Sequence, residues 1–170
     1  MTFVSVLTQR CQTPPPPPRG RLTRADIIQA IRRIALDLDE DGFARHRFVA
    51  MLGQTRGETS FRALHDLVMT LCCQGRRPFV VGHPRSPLPS VTERHVLSLL
   101  AAAQAGAESE TEIRLTTLLP APWRAEARAR LAEVAATLNV AGVPLASQLE
   151  PAPPRCRSWA TAFRHMARQG

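Results

Sequence analysis

Proline placement sets the outer limits of any fold this chain can adopt. Nearly all of its 15 prolines fall in four places: an unbroken run Pro14 to Pro18, a loop holding Pro78, Pro84, Pro87 and Pro89, the pair Pro120 and Pro122, and the stretch Pro151-Ala-Pro-Pro154. Proline fixes φ, lacks an amide hydrogen and disfavours helix in the residue before it, so regular structure is confined to the intervals between these clusters. The run Pro14 to Pro18 predicts an extended polyproline II rod that acts as a stiff spacer. The loop Arg76 to Pro89 has room for one short extended piece, Phe79 to Val81.

Within the intervals the apolar residues recur at helical spacing. Thr23 and Asp26 form a capping box ahead of a stripe of Ile27, Ile28, Ile31, Ile34, Ala35 and Leu38, with Arg32 and Arg33 assigned to the opposite face. Phe43, Phe48, Val49 and Leu52 suggest a short second helix ending near Gly53. Thr55 and Glu58 then read as a capping box for a third, whose face is Phe61, Leu64, Val68, Leu71 and Cys72. Ser90 and Glu93 cap a fourth, with Val91, His95, Leu97, Leu99, Leu100 and Ala103 on its buried side. Ile113, Leu115, Leu118 and Leu119 mark a fifth that stops at Pro120. Pro122 suits the first turn of a sixth, striped by Trp123, Ala127, Leu131, Val134 and Leu138. The pattern predicts a mainly α protein: residues 1–20 an amino-terminal peptide and polyproline linker, 21–149 a single domain of five or six helices, and 150–170 a proline-rich hinge and a short amphipathic helix. Its expected core is Ile31, Ile34, Phe61, Leu64, Val68, Leu97, Leu100, Leu131, Val134 and Leu138.

Composition narrows the function less than its charge suggests. All 22 basic side chains are arginine, lysine and tyrosine are absent, and the formal net charge is +8. Residues with GC-rich codons dominate, so the arginine excess reads partly as nucleotide bias. The arginines are also scattered, without the aromatic interleaving of a single-strand stacking platform. No apolar stretch approaches the roughly 20 residues of a membrane span, and the first ten residues lack the features of a secretory leader. A cytoplasmic protein with reduced thiols is expected, with Cys72 and Cys73 near the core.

The acidic turn Asp37-Leu-Asp-Glu-Asp-Gly42 resembles the opening of an EF-hand calcium loop through Asp37, Asp39, Asp41 and Gly42. Phe48 stands where the bidentate glutamate belongs, and Arg45, His46 and Arg47 crowd the remaining ligand positions. Carboxylates paired with neighbouring arginines are expected instead. His65 and Cys72 share a helical face but lie two turns apart, about 10 Å, too far for one zinc ion. No catalytic signature such as G-x-S-x-G or H-E-x-x-H occurs. The expectation is a protein that is not an enzyme, with no cofactor and no metal.

The preferred reading is a non-catalytic helical adaptor or regulator that binds another protein. Its candidate contacts are Trp159, Phe163 and Met166 beyond the hinge and the arginine stripe Arg124, Arg128 and Arg130, since tryptophan and arginine are favoured interface anchors. The alternative is a small basic DNA-binding regulator using a loose helix-turn-helix-like region from Phe48 to Leu64, with Arg56 and Arg62 as its contacts. That region departs from the compact motif because the apolar positions resume only at Phe61, leaving a linker from Gly53 to Thr59.

Overall fold

The intervals between the proline clusters become helices. The computed structural model describes residues 21–39 and 42–145, and among these there are six α-helices and no strand: α1 (Arg24–Ala35), α2 (Phe43–Leu52), α3 (Gln54–Gln74), α4 (Val91–Gln104), α5 (Glu108–Leu118) and α6 (Ala121–Val140). The rod at Pro14 to Pro18 and the segment 146–170 lie outside the described residues. No helix among the described residues is long and apolar enough to cross a membrane.

Two of the three expected capping boxes form. The Thr23 hydroxyl accepts from the Asp26 amide while the Asp26 carboxylate accepts from the Thr23 amide at 2.8 Å, and Ser90 and Glu93 do the same at the start of α4. The third does not: α3 begins at Gln54, with Gly53 as its cap, and Glu58 instead accepts from the Arg45 guanidinium of α2 at 2.8 Å. The supposed linker from Gly53 to Thr59 is thus helix. Gly53 alone separates α2 from α3, at φ 83° and ψ 162°, a conformation essentially reserved for glycine. Four residues on, Gly57 lies so close to α2 that an added Cβ would stand 2.5 Å from the Val49 Cα. Phe48 and Phe61 meet edge to face beside this crossing, 5.9 Å apart.

α3 and α6 form the central pair, with α1 and α2 packed on α3 and α4 and α5 on α6. Nine of the ten expected core residues are buried, and Phe61 is partly buried against them. Several positions placed on apolar faces turn outward: Leu38, Trp123, Val91 and Ile113 are exposed, as is His95. Leu38 does so because α1 ends at Ala35 and Asp37 takes a left-handed φ of 53°. Cys72 and Cys73, expected near the core, are free and exposed at the end of α3. Burial, and then the neighbouring Cys73, push the Cys72 thiol above its ordinary pKa.

The proline loop between α3 and α4 is held by a buried ion pair that crosses the fold. Arg32 of α1, expected on a solvent face, is instead buried, and its guanidinium meets the buried Glu93 carboxylate at 2.8 and 3.0 Å. Arg32 also donates to the carbonyls of Ser86 (2.7 Å) and Leu88 (2.9 Å). Glu93 accepts from the amides of Gly82 (2.9 Å) and Ser90 (2.6 Å). Phe79 to Val81 forms no strand: Ser90 donates to the Val80 carbonyl, and Phe79 and Val81 rest on the core. Proline-rich backbone cannot satisfy itself, and α1 and α4 supply the missing partners.

Candidate functional site

A groove of about 610 Å³ lies between α5 and α6, closed at one end by the α4–α5 turn. It exists because its walls are small. Ala103, Gly106 and Ala107 form the turn end, Leu131 and Ala132 line the α6 side, and the pair of Arg128 and Glu112 spans the two helices. α5 buries only Thr111 and Leu115, so its next apolar residue, Ile113, stands 65% exposed on the groove wall. The rim is acidic on the α5 side, with Glu108 and Glu112.

The arginine stripe of α6 is divided among three jobs. Arg124 donates to the Leu119 carbonyl at 3.1 Å, closing the α5–α6 turn. Arg128 crosses the groove to the Glu112 carboxylate at 2.6 Å. Arg130 turns toward α3, where Asp66 lies at 3.5 Å, with Glu126 and Glu133 at 3.8 and 3.7 Å, while its Nε is buried without a partner. Only Arg128 therefore belongs to the groove. Trp159, Phe163 and Met166 lie outside the described residues.

Arg56 and Arg62 are both exposed on α3. Arg56 sits in its first turn beside Arg21, Met51 and the end of α6, lining a hollow of about 180 Å³. Arg62 lines a separate polar hollow of about 340 Å³ with Glu58, Arg130 and Glu133. Six residues separate the two arginines, so their side chains leave the helix about 120° apart. Burial opposes ionisation of Glu58 less than Arg45 favours it, and Arg45 with a smaller contribution from Arg62 holds its carboxyl below the usual range.

At the acidic turn, Asp39 accepts from the Ala44 amide at 2.8 Å and faces Arg33 at 3.8 Å, stabilising the start of α2. Asp41 lies outside the described residues. His65 contacts Asp66 at 3.5 Å and tilts against Phe61. Among the described residues no cluster of three His, Cys, Asp or Glu side chains is placed to hold a metal ion. No protein-family model matches the chain, and neither curated proteins nor solved structures yield a match.

Sequence reasoning missed the groove and the Arg32–Glu93 pair. The groove has a faint signal, the alanines of α4 and α6 facing a short, weakly apolar α5. For the pair, the signal is Arg32 four residues after Ile28 on the flank of an apolar stripe.

Proposed function

We propose that this protein is a non-catalytic helical adaptor or regulator that works by holding an apolar segment of another protein in the α5/α6 groove. The observation that supports this most is the exposed Ile113 on the wall of an alanine-floored groove of about 610 Å³. A single exposed isoleucine is ordinary. One bordering an open groove in the size range of about 300–1,000 Å³ typical of binding pockets is a recognition feature. An amphipathic helix is the natural occupant, because it offers apolar anchors along one face and lets its polar face meet the rim. Glu108 favours a basic residue on that helix, while Glu112 is already paired with Arg128.

Capture of partners from lysate by the full chain and by Ile113→Arg tests this reading. Any protein held by the parent and lost from the variant supports the groove; an unchanged set refutes it. DNA binding through α2 and α3 is the second reading, supported by the direct junction at Gly53 and by the exposure of Arg56 in the first turn of α3 and of Arg62 in its third. If six or so phosphates are contacted, affinity for random duplex falls as about the fifth power of salt. No binding at roughly 50 mM salt, where such contacts are strongest, rules it out.

A further inference from the structure

We infer that Arg76 and Arg124 form a clamp for a phosphate monoester, where the end of α3 meets the turn between α5 and α6. The Arg76 amide donates to the Leu118 carbonyl at 2.8 Å, which fixes the start of the proline loop against the end of α5. One residue on, the Leu119 carbonyl accepts from two guanidiniums at once, from Arg76 Nε at 3.3 Å and from Arg124 Nε at 3.1 Å. A carbonyl oxygen has two lone pairs, so this acceptor is full. Each arginine spends one N–H on it and keeps both Nη groups as an outer fork. Among the described residues no carboxylate meets either fork. Two like charges held on one neutral oxygen repel each other, and an anion seated between them turns that repulsion into attraction. The neighbouring sequence supplies no such anion. From Leu67 to Ala107 the sole acidic residue is Glu93, buried against Arg32, while Arg76, Arg77, Arg85 and Arg94 share the same stretch. From Ile113 to Ala125 there is no acidic residue. On α6 itself Arg128 and Arg130 meet carboxylates, whereas Arg124 meets the carbonyl alone. α6 also begins here without an acidic residue in its first turn, so its positive end adds to the field of the two arginines. Charge and valence then select the ligand. A carboxylate brings one negative charge and two oxygens, which a single fork satisfies. A phosphate monoester brings a charge of about −1.5 to −2 and three terminal oxygens, enough for both forks. Arg76 is exposed and Arg124 half-buried, so the clamp is open to solvent. It sits at the opposite end of α5 from the closed end of the groove, and does not depend on the groove being a contact surface.

Inorganic phosphate, titrated at constant ionic strength into the isotope-labelled full chain, is the first probe, with the arginine Nε–H signals as the readout. At about pH 7.5, where phosphate is mostly dianionic, the signals of Arg76 and Arg124 should move together and saturate, while those of Arg85 and Arg94 stay in place. At about pH 5, where phosphate is a monoanion, binding should weaken. Arg76→Gln and Arg124→Gln should each lower the affinity about tenfold or more. Arg85→Gln, which removes a nearby positive charge but no part of the clamp, should leave it unchanged, with the same helical circular dichroism in all three variants. The absence of a saturable shift in the parent overturns the clamp without recourse to any variant. Equal movement of the Arg85 signal, or full affinity in both clamp variants, overturns it too, and equal affinity at the two pH values overturns the choice of a dianion. A phosphoserine tripeptide and ribose 5-phosphate distinguish the source: tighter binding of the first points to a phosphorylated protein, of the second to a small phosphorylated metabolite, and both support the clamp. Random duplex DNA that displaces phosphate from both arginines overturns the monoester assignment and gives the site to a nucleic acid.

Discussion

Glu93→Gln is the substitution that most sharply tests how this fold is held. The change keeps the shape of the side chain and removes its charge, leaving the buried Arg32 guanidinium opposite a neutral amide. Breaking one side of a buried ion pair costs about 3–5 kcal/mol because the remaining charge is uncompensated. At roughly 4 °C of melting temperature per kcal/mol for a domain of this size, the melt should fall by about 12–20 °C. Urea and thermal denaturation followed by circular dichroism measure it. The double variant Arg32→Met/Glu93→Leu sets a second expectation. An isolated buried pair replaced by apolar residues is often neutral or stabilised by about 1–4 kcal/mol. Here, however, the pair also serves two carbonyls and two amides of the proline loop, at Ser86, Leu88, Gly82 and Ser90. At about 0.5–1.5 kcal/mol for each of the four bonds, their loss costs about 2–6 kcal/mol, which exceeds the apolar gain of about 1–4 kcal/mol at the middle of both ranges, so the double variant should fall about 1–2 kcal/mol below the parent, with faster amide exchange at Gly82 and Ser90. A cost under about 1 kcal/mol for Glu93→Gln, against the 3–5 expected of a broken buried pair, refutes the uncompensated-charge account; a double variant as stable as the parent refutes the loop's dependence on the pair.

Four further outcomes follow from the same geometry. Gly57→Ala should destabilise by about 1–3 kcal/mol in denaturant titration through overpacking against the Val49 backbone. Gly53→Ala, which has open space around it, should cost a similar amount of about 1–3 kcal/mol purely from its backbone conformation. For Glu93, burial raises the carboxyl pKa, but Arg32 and the Ser90 and Gly82 amides outweigh it; for Asp26, Arg47 and Thr23 do likewise. Both folded values lie below the ordinary one, so their stabilisation is complete above about pH 4, where the unfolded groups ionise, and is lost as pH falls through the lower folded values. Stability measured against pH should therefore drop on that acid limb, and less steeply in Asp26→Asn. Finally, with Cys11 and Cys156 replaced by serine, both Cys72 and Cys73 should react with an aromatic disulfide reagent in the native state, Cys72 more slowly than a free thiol because its thiolate is disfavoured.

Helix identity was legible in the sequence where burial is achieved by large apolar residues at regular spacing, as along Ile27, Ile31 and Ile34 or Leu131, Val134 and Leu138. It failed over the first two turns of α3, and the reason is physical. That stretch is packed through Gly57 and Ser60, both buried, whose smallness lets two backbones approach but contributes nothing to a hydrophobic pattern. The Thr55 and Glu58 spacing then supplied a plausible false start, because a capping box and an interhelical acceptor place the same residue types in the sequence. At Ser90 the same signature was true, and its glutamate does both jobs at once: Glu93 caps α4 and receives Arg32. Local pattern identifies the first role. The second depends on a partner 61 residues away.

The absence of lysine takes on a different meaning beside these contacts. Between helices of the described residues, three arginines present two nitrogens each to a carboxylate: Arg32 to Glu93 between α1 and α4, Arg45 to Glu58 between α2 and α3, and Arg47 to Asp26 between α2 and α1. A lysine offers one compact charge on a flexible stem and cannot make such a fork. At Arg32 it would also be too few donors for two carboxylate oxygens and two loop carbonyls. Whatever sets the arginine excess, the fold uses its geometry where helices are joined by paired carboxylates. The net charge of +8 is what remains after every carboxylate is counted, so it is the placement of the remaining arginines, and not their number, that bears on a polyanionic partner.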